Sequence, residues 1–314
     1  MIVWIASYPR SGNTLLRMML HRVFELPSYS KYDDQIFLDA ADPTYSAVGH
    51  QPMGDAWEVF YRAKLKAKGL YLIKTHEAPL DDEPAIYIVR NGLTAVDSYR
   101  HYSRAFDHKD YALEDLILGS RGPYLSWGAN LDAWNPRRRA RTLVLVYRDL
   151  VSQPEQCLDQ LADFLGRKRR GAWTNDFQAL NGANPKFFRR GQVEPDPASF
   201  TPEQLELFDL VHGDWLVELG FSRTPASRHR HGRALRAALM SQDILQAHQQ
   251  ALIAATHETA IQATAATARL EEILLKDREI QNLKRICDER EELIKRLSAP
   301  RSTRRNGSTA PFSS

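Results

Sequence analysis

The sequence predicts an α/β fold: a three-layer domain with a central parallel sheet, followed by a long C-terminal helix. Short runs rich in Ile, Val, Leu and Tyr have the composition of buried parallel strands, and they lie at 2–6, 70–74, 85–89 and 142–147. Helical patterns fall between these runs, for example at 14–24, 94–102 and 154–165. Strands that alternate with helices indicate a parallel sheet with helices on both faces.

The long helix is predicted from a change of composition near residue 225. Beyond it, Pro and aromatic residues are absent until Pro300, and Ala, Gln, Glu, Arg and Leu dominate. A heptad frame fits this segment best after Ile273, which is typical of a coiled coil. We therefore predict a domain at 1–225, a long helix or coiled coil at 233–298 and a disordered tail at 299–314. The helix would bind a second copy of the chain or another protein, or would fold back on its own domain.

Composition narrows the class of partners. The chain of 314 residues has 42 Lys and Arg against 39 Asp and Glu, a formal net charge of +3. This excess is too small to indicate nucleic acid, although it permits a local anion site. No stretch of about 18 apolar residues is present, so we expect no membrane span. Two distant cysteines, Cys157 and Cys287, do not suggest a disulfide scaffold. We expect a cytoplasmic protein.

The first predicted strand is followed by a candidate anion site. Ligands of parallel sheets bind beyond the carboxyl ends of the strands. Here the turn consists of Arg10, Ser11, Gly12, Asn13 and Thr14, and a helix follows it. N–H groups at a helix N-terminus bind phosphate-like anions, and Arg10 adds a fixed positive charge. The Walker pattern GxxxxGK[ST] is absent. The alternative is an ordinary helix start, capped by the side chain of Asn13 or Ser11.

The next two strand ends carry further candidates. Lys74 and His76 are two residues apart and would face the same way in an extended segment. The positive charge of Lys74 disfavours protonation of His76, and a neutral histidine can act as a general base. Arg90 follows the third strand and Ser98 lies on the next helix, so the two could hold one phosphate. The alternative for each is an ordinary surface or hydrogen-bonded side chain.

Later residues complete the candidate set. Tyr147 ends the fourth strand, and Arg189, Arg190 and Gly191 form a basic loop. Taken alone, Tyr147 fits the core and the loop fits a solvated charge run. No cluster of Asp and Glu suited to Mg²⁺ accompanies these groups, although Walker-type hydrolysis needs a metal held by a carboxylate. Together, the residues indicate a site for a highly anionic nucleotide handled without a metal.

These motifs resemble those of the soluble PAPS-dependent sulfotransferases, where PAPS is 3′-phosphoadenosine-5′-phosphosulfate. SYPRSGNTLLR is similar to the family's 5′-phosphosulfate loop, IYIVRNGLTAVDSYRHY to its 3′-phosphate motif, and LIKTH to the segment with its catalytic base. DFQAL and FFRRG are similar to the late segment that closes over the adenine. The resemblance covers roughly residues 1–222. The family usually has Lys where Arg10 stands, and arginine keeps its proton, so its contribution would be electrostatic.

The resemblance implies a P-loop-like α/β domain with a central parallel sheet. It also implies transfer of the sulfonyl group of PAPS to a hydroxyl, with His76 as the general base and Lys74 and Arg10 near the transferring group. Phe177 would stack on the adenine, with Tyr147 nearby. No metal is implied. The residues implied to bind PAPS, or its product PAP, are Arg10, Ser11, Gly12, Asn13, Thr14, Arg90, Ser98, Tyr147, Phe177, Arg189, Arg190 and Gly191.

We expect the acceptor hydroxyl on a carbohydrate, a glycolipid or a small metabolite, and we favour a carbohydrate or glycolipid. Its candidate contacts are aromatic residues for which packing in the core or in a lid is the more common role, namely Trp57, Tyr61, Phe106, Tyr124 and Trp127. Two alternatives to a sulfotransferase stay open. A P-loop kinase or NTPase would need a loop lysine and a metal-holding carboxylate, and a non-catalytic protein would act through its coiled coil.

Overall fold

The structure is a computed structural model that describes residues 1–32, 43–175, 181–182, 185, 191, 193–221, 232–241, 269, 272–285, 288 and 290. The strands are β1 Ile2–Ser7, β2 Ser28–Ser30, β3 Tyr71–Thr75, β4 Ala85–Val89 and β5 Thr142–Val146. The helices are α1 Asn13–Phe24, α2 Pro43–Ala47, α3 Trp57–Lys66, α4 Gly92–Tyr102, α5 Leu113–Leu118, α6 Trp127–Trp134, α7 Tyr147–Ser152, α8 Pro154–Leu165 and α9 Pro202–Glu218. A π-helical turn, Ser103–Asp107, follows α4, and a 3₁₀ turn, Pro197–Ser199, precedes α9.

The five strands form one sheet in the order β2-β3-β1-β4-β5, and every neighbouring pair is parallel. The predicted α/β class with a central parallel sheet is therefore confirmed. The register pairs Ala6 with Thr75 and Ser7 with Ile88, so β1, β3 and β4 end at the same edge. Because β1 is the central strand, the turn that follows it lies between the ends of β3 and β4.

Two apolar cores lie on the two faces of this sheet, because side chains alternate along a strand. Along β1, Trp4 packs into a core with α3, α4, α5, α6 and α9. Its neighbour Ile5 packs into a second core with α1, α7 and α8. The sheet is thus the middle of three layers, as the sequence predicts. Helices therefore cover both faces of the sheet, and polar side chains lie at the carboxyl edge of the strands.

The chain divides into two compact units, Met1–Ile244 and Leu245–Ser314. In the first unit, residues 232–241 form a helix. In the second, residues 272–285 are helical, and Ile273, Ile280 and Leu283 are exposed there. Much of the predicted helix at 233–298, and all of the predicted tail at 299–314, lie outside the described residues. Among the helices that are described, none is both long enough and apolar enough to span a bilayer.

Candidate active site

The turn after β1 leaves the start of α1 open to an anion. Gly12 occupies the cap position with a φ of 110°, and no described side chain caps the helix. The amide of Asn13 instead donates backwards, to the carbonyl of Ile5 at 3.1 Å and to Ser7 Oγ at 3.4 Å. Ser11 is 1% exposed, and its hydroxyl has no hydrogen-bond partner among the described residues. The alternative of a helix start capped by Asn13 or Ser11 is therefore wrong.

The structure brings Arg10, Arg90 and Ser98 together beside this turn. Arg10 Nε donates to Ser98 Oγ at 3.4 Å, and the Arg10 guanidinium lies 4.9 Å from the ring centre of Tyr102. Arg90 Nη1 donates to the carbonyl of Arg10 at 2.6 Å. Arg10 itself has a φ of 62°, an unusual conformation for a residue other than glycine. The bond from Arg90 thus fixes the backbone of the turn while both guanidinium groups stay at the sheet edge.

Tyr147, the first residue of α7, joins the turn to Arg90. Its ring lies 4.5 Å from the Arg90 guanidinium carbon. Its Cδ2 atom would lie only 2.6 Å from a Cβ placed on Gly12. Only glycine therefore allows the turn to approach this ring so closely. The sequence predicts Tyr147 near the nucleotide, and the structure places it against both Gly12 and Arg90.

His76 lies directly beyond β3 and bonds to the end of β1. Its Nδ1 atom is 2.9 Å from the carbonyl oxygen of Ser7 and 3.4 Å from Ser7 Oγ. A carbonyl oxygen can only accept, so we assign the proton of neutral His76 to Nδ1. The lone pair is then on Nε2. Because Ser7 also accepts from Asn13, one residue contacts both the anion turn and the imidazole.

Two tyrosine rings pack against the imidazole, and Lys74 lies beside one of them. Tyr32 stacks on His76 with ring centres 5.7 Å apart, and the hydroxyl of Tyr32 accepts from the backbone N–H of His76 at 2.7 Å. The Lys74 ammonium lies 5.5 Å from the centre of the same tyrosine ring. Tyr124 packs edge-on against His76 at 5.5 Å. Burial raises the pKa of Tyr32 to about 12 and raises the pKa of Tyr124 as well, so both phenols stay neutral.

Helix α6 holds the backbone that carries His76. Asn130 Nδ2 donates to the carbonyl of His76 at 2.9 Å, and Trp134 Nε1 donates to the carbonyl of Glu77 at 2.7 Å. The sequence analysis missed Tyr32, Asn130 and Trp134. For Asn130 a signal existed, because it is a polar residue in an otherwise largely apolar helix, WGANLDAW.

The remaining predicted site residues have different outcomes. Phe177, Arg189 and Arg190 lie outside the described residues, and Gly191 is described with a φ of 59°. Of the candidate acceptor contacts, Trp127 has the alternative role of a core residue: it is 1% exposed and packs on Phe208 and His212.

The other aromatic candidates divide into two groups. Trp57 and Tyr61 stack on each other beside Trp4, and the hydroxyl of Tyr61 donates to Asp81 at 2.6 Å. Phe106 stacks on Tyr102, and Tyr124 is the candidate that contacts His76. Within the part of the chain that the structure describes, no group of three or more His, Cys, Asp or Glu side chains could hold a metal ion.

Comparison with known families adds a decisive match. A family model described as a sulfotransferase domain matches residues 2–220. The chain belongs to the sulfotransferase family. The match spans the sheet and the site and ends before the helix at 232–241.

Individual relatives are distant. Sulfotransferase 4A1 of Homo sapiens is 27% identical over 226 residues, which are 67% of this chain and 78% of that protein. The mouse (Mus musculus) protein of the same name is 27% identical over 172 residues, and the match spans 52% of this chain and 59% of the mouse protein. The chain therefore matches less than two thirds of that relative.

Two solved structures are also similar to this chain. Mouse sulfotransferase SULT7A1 complexed with PAP is 18% identical, with 75% of this chain and 88% of that chain covered and a TM-score of 0.47. Retinol dehydratase in complex with androsterone and PAP is 16% identical, with coverage of 71% and 81% and a TM-score of 0.44.

Proposed function

We propose that the chain transfers the sulfonyl group of PAPS to the hydroxyl of a carbohydrate, a glycolipid or a small metabolite, with His76 as the general base. Family membership supports the reaction class. One observation carries the residue assignment: Ser7, at the end of the central strand, contacts both the imidazole of His76 and the amide of Asn13 in the anion turn. A base and an anion cradle are thereby joined through one residue.

The residues at the sheet edge fit the two anionic groups of PAPS. The uncapped start of α1 offers backbone N–H groups, and the buried hydroxyl of Ser11 adds a donor that the described residues leave unused. These groups, with Arg10, suit the 5′-phosphosulfate. Arg90, which follows β4, and Ser98, on α4, suit the 3′-phosphate. Both are hydrogen-bonded to Arg10 and therefore lie beside the anion turn. We propose Phe177, Arg189, Arg190 and Gly191 as further contacts to the nucleotide, on the resemblance alone.

The chemistry of the step assigns roles to three side chains. Bound PAPS supplies an activated sulfonyl group. As the acceptor oxygen bonds to sulfur and the bond between sulfur and the phosphate oxygen breaks, His76 takes the hydroxyl proton at Nε2. Arg10 and Lys74 place positive charge where the leaving phosphate gains negative charge. No metal takes part in this proposal, since the two cations and the N–H groups supply the charge stabilisation.

The base assignment is tested by His76→Ala, with the exposed His108→Ala as a matched control. We expect turnover to fall by about 10²–10⁴-fold, because that is the usual contribution of a general base. Affinity for PAP, measured by calorimetry, should be unchanged, since the anion turn is intact. If His76→Ala keeps the turnover of the control variant, His76 is not the base.

The nucleotide assignment is tested by Arg90→Ala, with the exposed Arg148→Ala as its control. The variant should bind PAP more weakly than the control, and its turnover at saturating PAPS should change less than its affinity. Equal PAP affinity in the two variants would remove Arg90 from the 3′-phosphate site. Thermal stabilisation by PAP but not by Mg-ATP separates this proposal from the kinase or NTPase alternative, and the reverse result favours that alternative.

The acceptor is proposed from the side chains around the base. Tyr32 and Tyr124 present ring surfaces beside His76, and aromatic rings pack well against the C–H faces of sugars. Mass spectrometry of the products formed from PAPS and a library of glycans, glycolipids and small alcohols would identify the class. Exclusive sulfation of non-carbohydrate alcohols would overturn the preference for carbohydrate. Cytoplasmic localisation stays a prediction.

We further propose that the C-terminal helix associates with a second copy of the chain or with another protein. In the described stretch 272–285, Ile273, Ile280 and Leu283 are exposed. They lie seven and three residues apart, the spacing of a coiled-coil seam. Light scattering of the full chain and of Ile280→Lys tests self-association. A monomeric wild-type chain would exclude a homo-oligomer.

A further inference from the structure

Helix α6 links the active-site backbone to a helix outside the matched family region. Asn130 and Trp134 are four residues apart and therefore share one face of α6, and they donate to the carbonyls of His76 and Glu77. Two residues on from Asn130, Asp132 is rotated by about 200° around the helix axis, so it lies on the opposite face. Its carboxylate accepts from Arg236 Nε at 2.7 Å and from Arg236 Nη2 at 3.1 Å.

The bond from Asn130 is locked in its orientation. Asn130 is fully buried, and its Nδ2 must face the carbonyl of His76, because a carbonyl can only accept. Its Oδ1 atom then accepts from the hydroxyl of Tyr87 at 2.6 Å. This carbonyl lies just beyond the end of β3, where the sheet ladder no longer supplies a partner. A buried carbonyl without a donor would be costly. The position of α6 therefore determines where the backbone of His76 can lie.

Arg236 is buried in the domain and is held there by several hydrogen bonds. It is 1% exposed and lies in the helical segment 232–241. Besides Asp132, it donates to both carboxylate oxygens of Asp214, at 2.7 and 2.9 Å, and to the carbonyl of Val211 at 2.6 Å. A buried guanidinium needs such compensation, and two carboxylates provide it. The segment 232–241 is thus fixed to α9 through Asp214 and to α6 through Asp132.

The approach of Arg236 to α6 is also close in space. A Cβ placed on Gly128 would lie 2.8 Å from Arg236 Cδ and 2.6 Å from His212 Nδ1. Glycine at this position allows α6 to contact the arginine side chain directly. Loss of Arg236 would remove two of the hydrogen bonds to Asp132 and the packing beside Gly128. Trp215 Nε1 and Arg233 Nε would still donate to Asp132, at 2.9 and 3.3 Å, so α6 would be held more loosely on the side away from His76.

We propose that Arg236 is a positioning residue for His76, acting through Asp132 and α6, so that the segment beyond the family domain is required for full turnover. This inference rests on the proposed function, in which His76 is the base. Arg236 does not touch the reacting atoms. It holds α6, α6 holds the backbone of His76 and Glu77, and this backbone keeps Nδ1 on the carbonyl of Ser7 and the lone pair on Nε2.

The first test compares Arg236→Met with Leu158→Ala. Leu158 is fully buried in the core on the other face of the sheet, so its variant is a control for a general loss of stability. Both are assayed below the lower melting temperature. We expect kcat of Arg236→Met to fall by about tenfold to a hundredfold, because misplacement by about 1 Å can cost about 10²-fold. The PAP dissociation constant should not change. Equal kcat in the two variants overturns the proposal. If Arg236→Met does not fold, Arg236→Lys is compared in the same way.

A double-mutant cycle tests the route through α6. Asn130→Leu removes the bond to His76 directly and should lower kcat on its own. If Arg236 acts through Asn130, the double variant should lose little more kcat than Asn130→Leu alone, because the contact has already been removed. Additive losses would mean that Arg236 acts by another route and would overturn the proposed one.

A spectroscopic readout separates this proposal from the sulfotransfer proposal. Nitrogen NMR of ¹⁵N-histidine-labelled protein, with the signals of His76 assigned by their loss in His76→Asn, reports the tautomer. The wild-type chain should show His76 protonated at Nδ1, and Arg236→Met should show a mixture of tautomers. An unchanged tautomer refutes the positioning role. If the wild-type chain neither binds PAP nor transfers sulfonyl groups, the proposed function fails while the tautomer result still decides on the link between Arg236 and His76.

Discussion

Gly12→Ala should damage the anion turn through steric contact with Tyr147 as well as through backbone strain. Gly12 has a φ of 110°, where an L-residue costs about 1–2 kcal/mol. The added methyl group would also lie 2.6 Å from Tyr147 Cδ2, and overpacking of this kind costs about 1–3 kcal/mol. The two effects together predict a loss of about 2–5 kcal/mol, of which the steric part is local to the site.

Gly166→Ala separates the two effects. Gly166 ends α8 with a φ of 60°, and a Cβ there would have no atom within 4 Å. This variant carries the backbone strain without the steric contact, so it should lose only about 1–2 kcal/mol. For a domain of this size, each kcal/mol lowers the melting temperature by about 2–4 °C, so scanning calorimetry should distinguish the variants.

Binding provides the second measurement for Gly12→Ala. Displacement of Tyr147 would move the ring away from the Arg90 guanidinium, which lies 4.5 Å from it. We therefore expect weaker PAP binding by Gly12→Ala, and unchanged PAP binding by Gly166→Ala. If the two variants melt at the same temperature and bind PAP equally well, the close packing of Tyr147 on the turn is unimportant and our account of the turn is wrong.

Two further predictions concern buried groups away from the site. Burial lowers the pKa of His212 to about 3, against about 6.5 in the unfolded chain. The unfolded chain therefore binds a proton that the folded one does not, so this contribution to stability is complete above pH 6.5 and is lost as the pH falls towards 3. Between pH 7 and 5, the free energy of unfolding, measured with urea, should fall less steeply with falling pH in His212→Gln than in the wild-type chain, by up to about 1.4 kcal/mol per pH unit. An identical pH dependence in the two proteins would contradict this. Burial also raises the pKa of Cys157 to about 11, so iodoacetamide at pH 8 should leave it unlabelled until urea unfolds the chain, as peptide mapping would show. Rapid labelling of folded protein would contradict its burial.

The part of the site on β1 and β4 could be predicted from sequence. Parallel strands end at a common edge, so Arg10 and Arg90 could be placed near each other without coordinates. Their contact in the structure, from Arg90 Nη1 to the Arg10 carbonyl, follows from the order in which β4 neighbours β1. The strand boundaries were also nearly correct, because β1, β3, β4 and β5 are apolar runs with no competing helical pattern.

The rest of the site depends on elements that carry little sequence signal. β2 is the three-residue edge strand SYS, too short to show periodicity, and Tyr32 lies just beyond it. Asn130 acts on His76 across 54 positions of sequence, and only the packing of α6 brings the two together. The sequence left two roles open for Trp127 for a related reason: a large aromatic residue suits both a binding surface and a core, and the neighbours Phe208 and His212 show that it lies in the core.

The strand order divides the site into two sides, which can be altered separately by mutation. Neighbouring strands lie about 4.8 Å apart, so β3 and β4, on either side of β1, end about 10 Å from each other. His76 belongs to the β3 side, where β2 and α6 fix its backbone, and Arg90 belongs to the β4 side, where α7 packs on it through Tyr147. The backbones that carry the two groups are therefore separated by β1, and a ligand that contacts both side chains lies across the end of that strand. Because Ser7 and Arg10 both come from that central strand and its turn, the base and the cations keep their spacing only as long as β1 keeps its register.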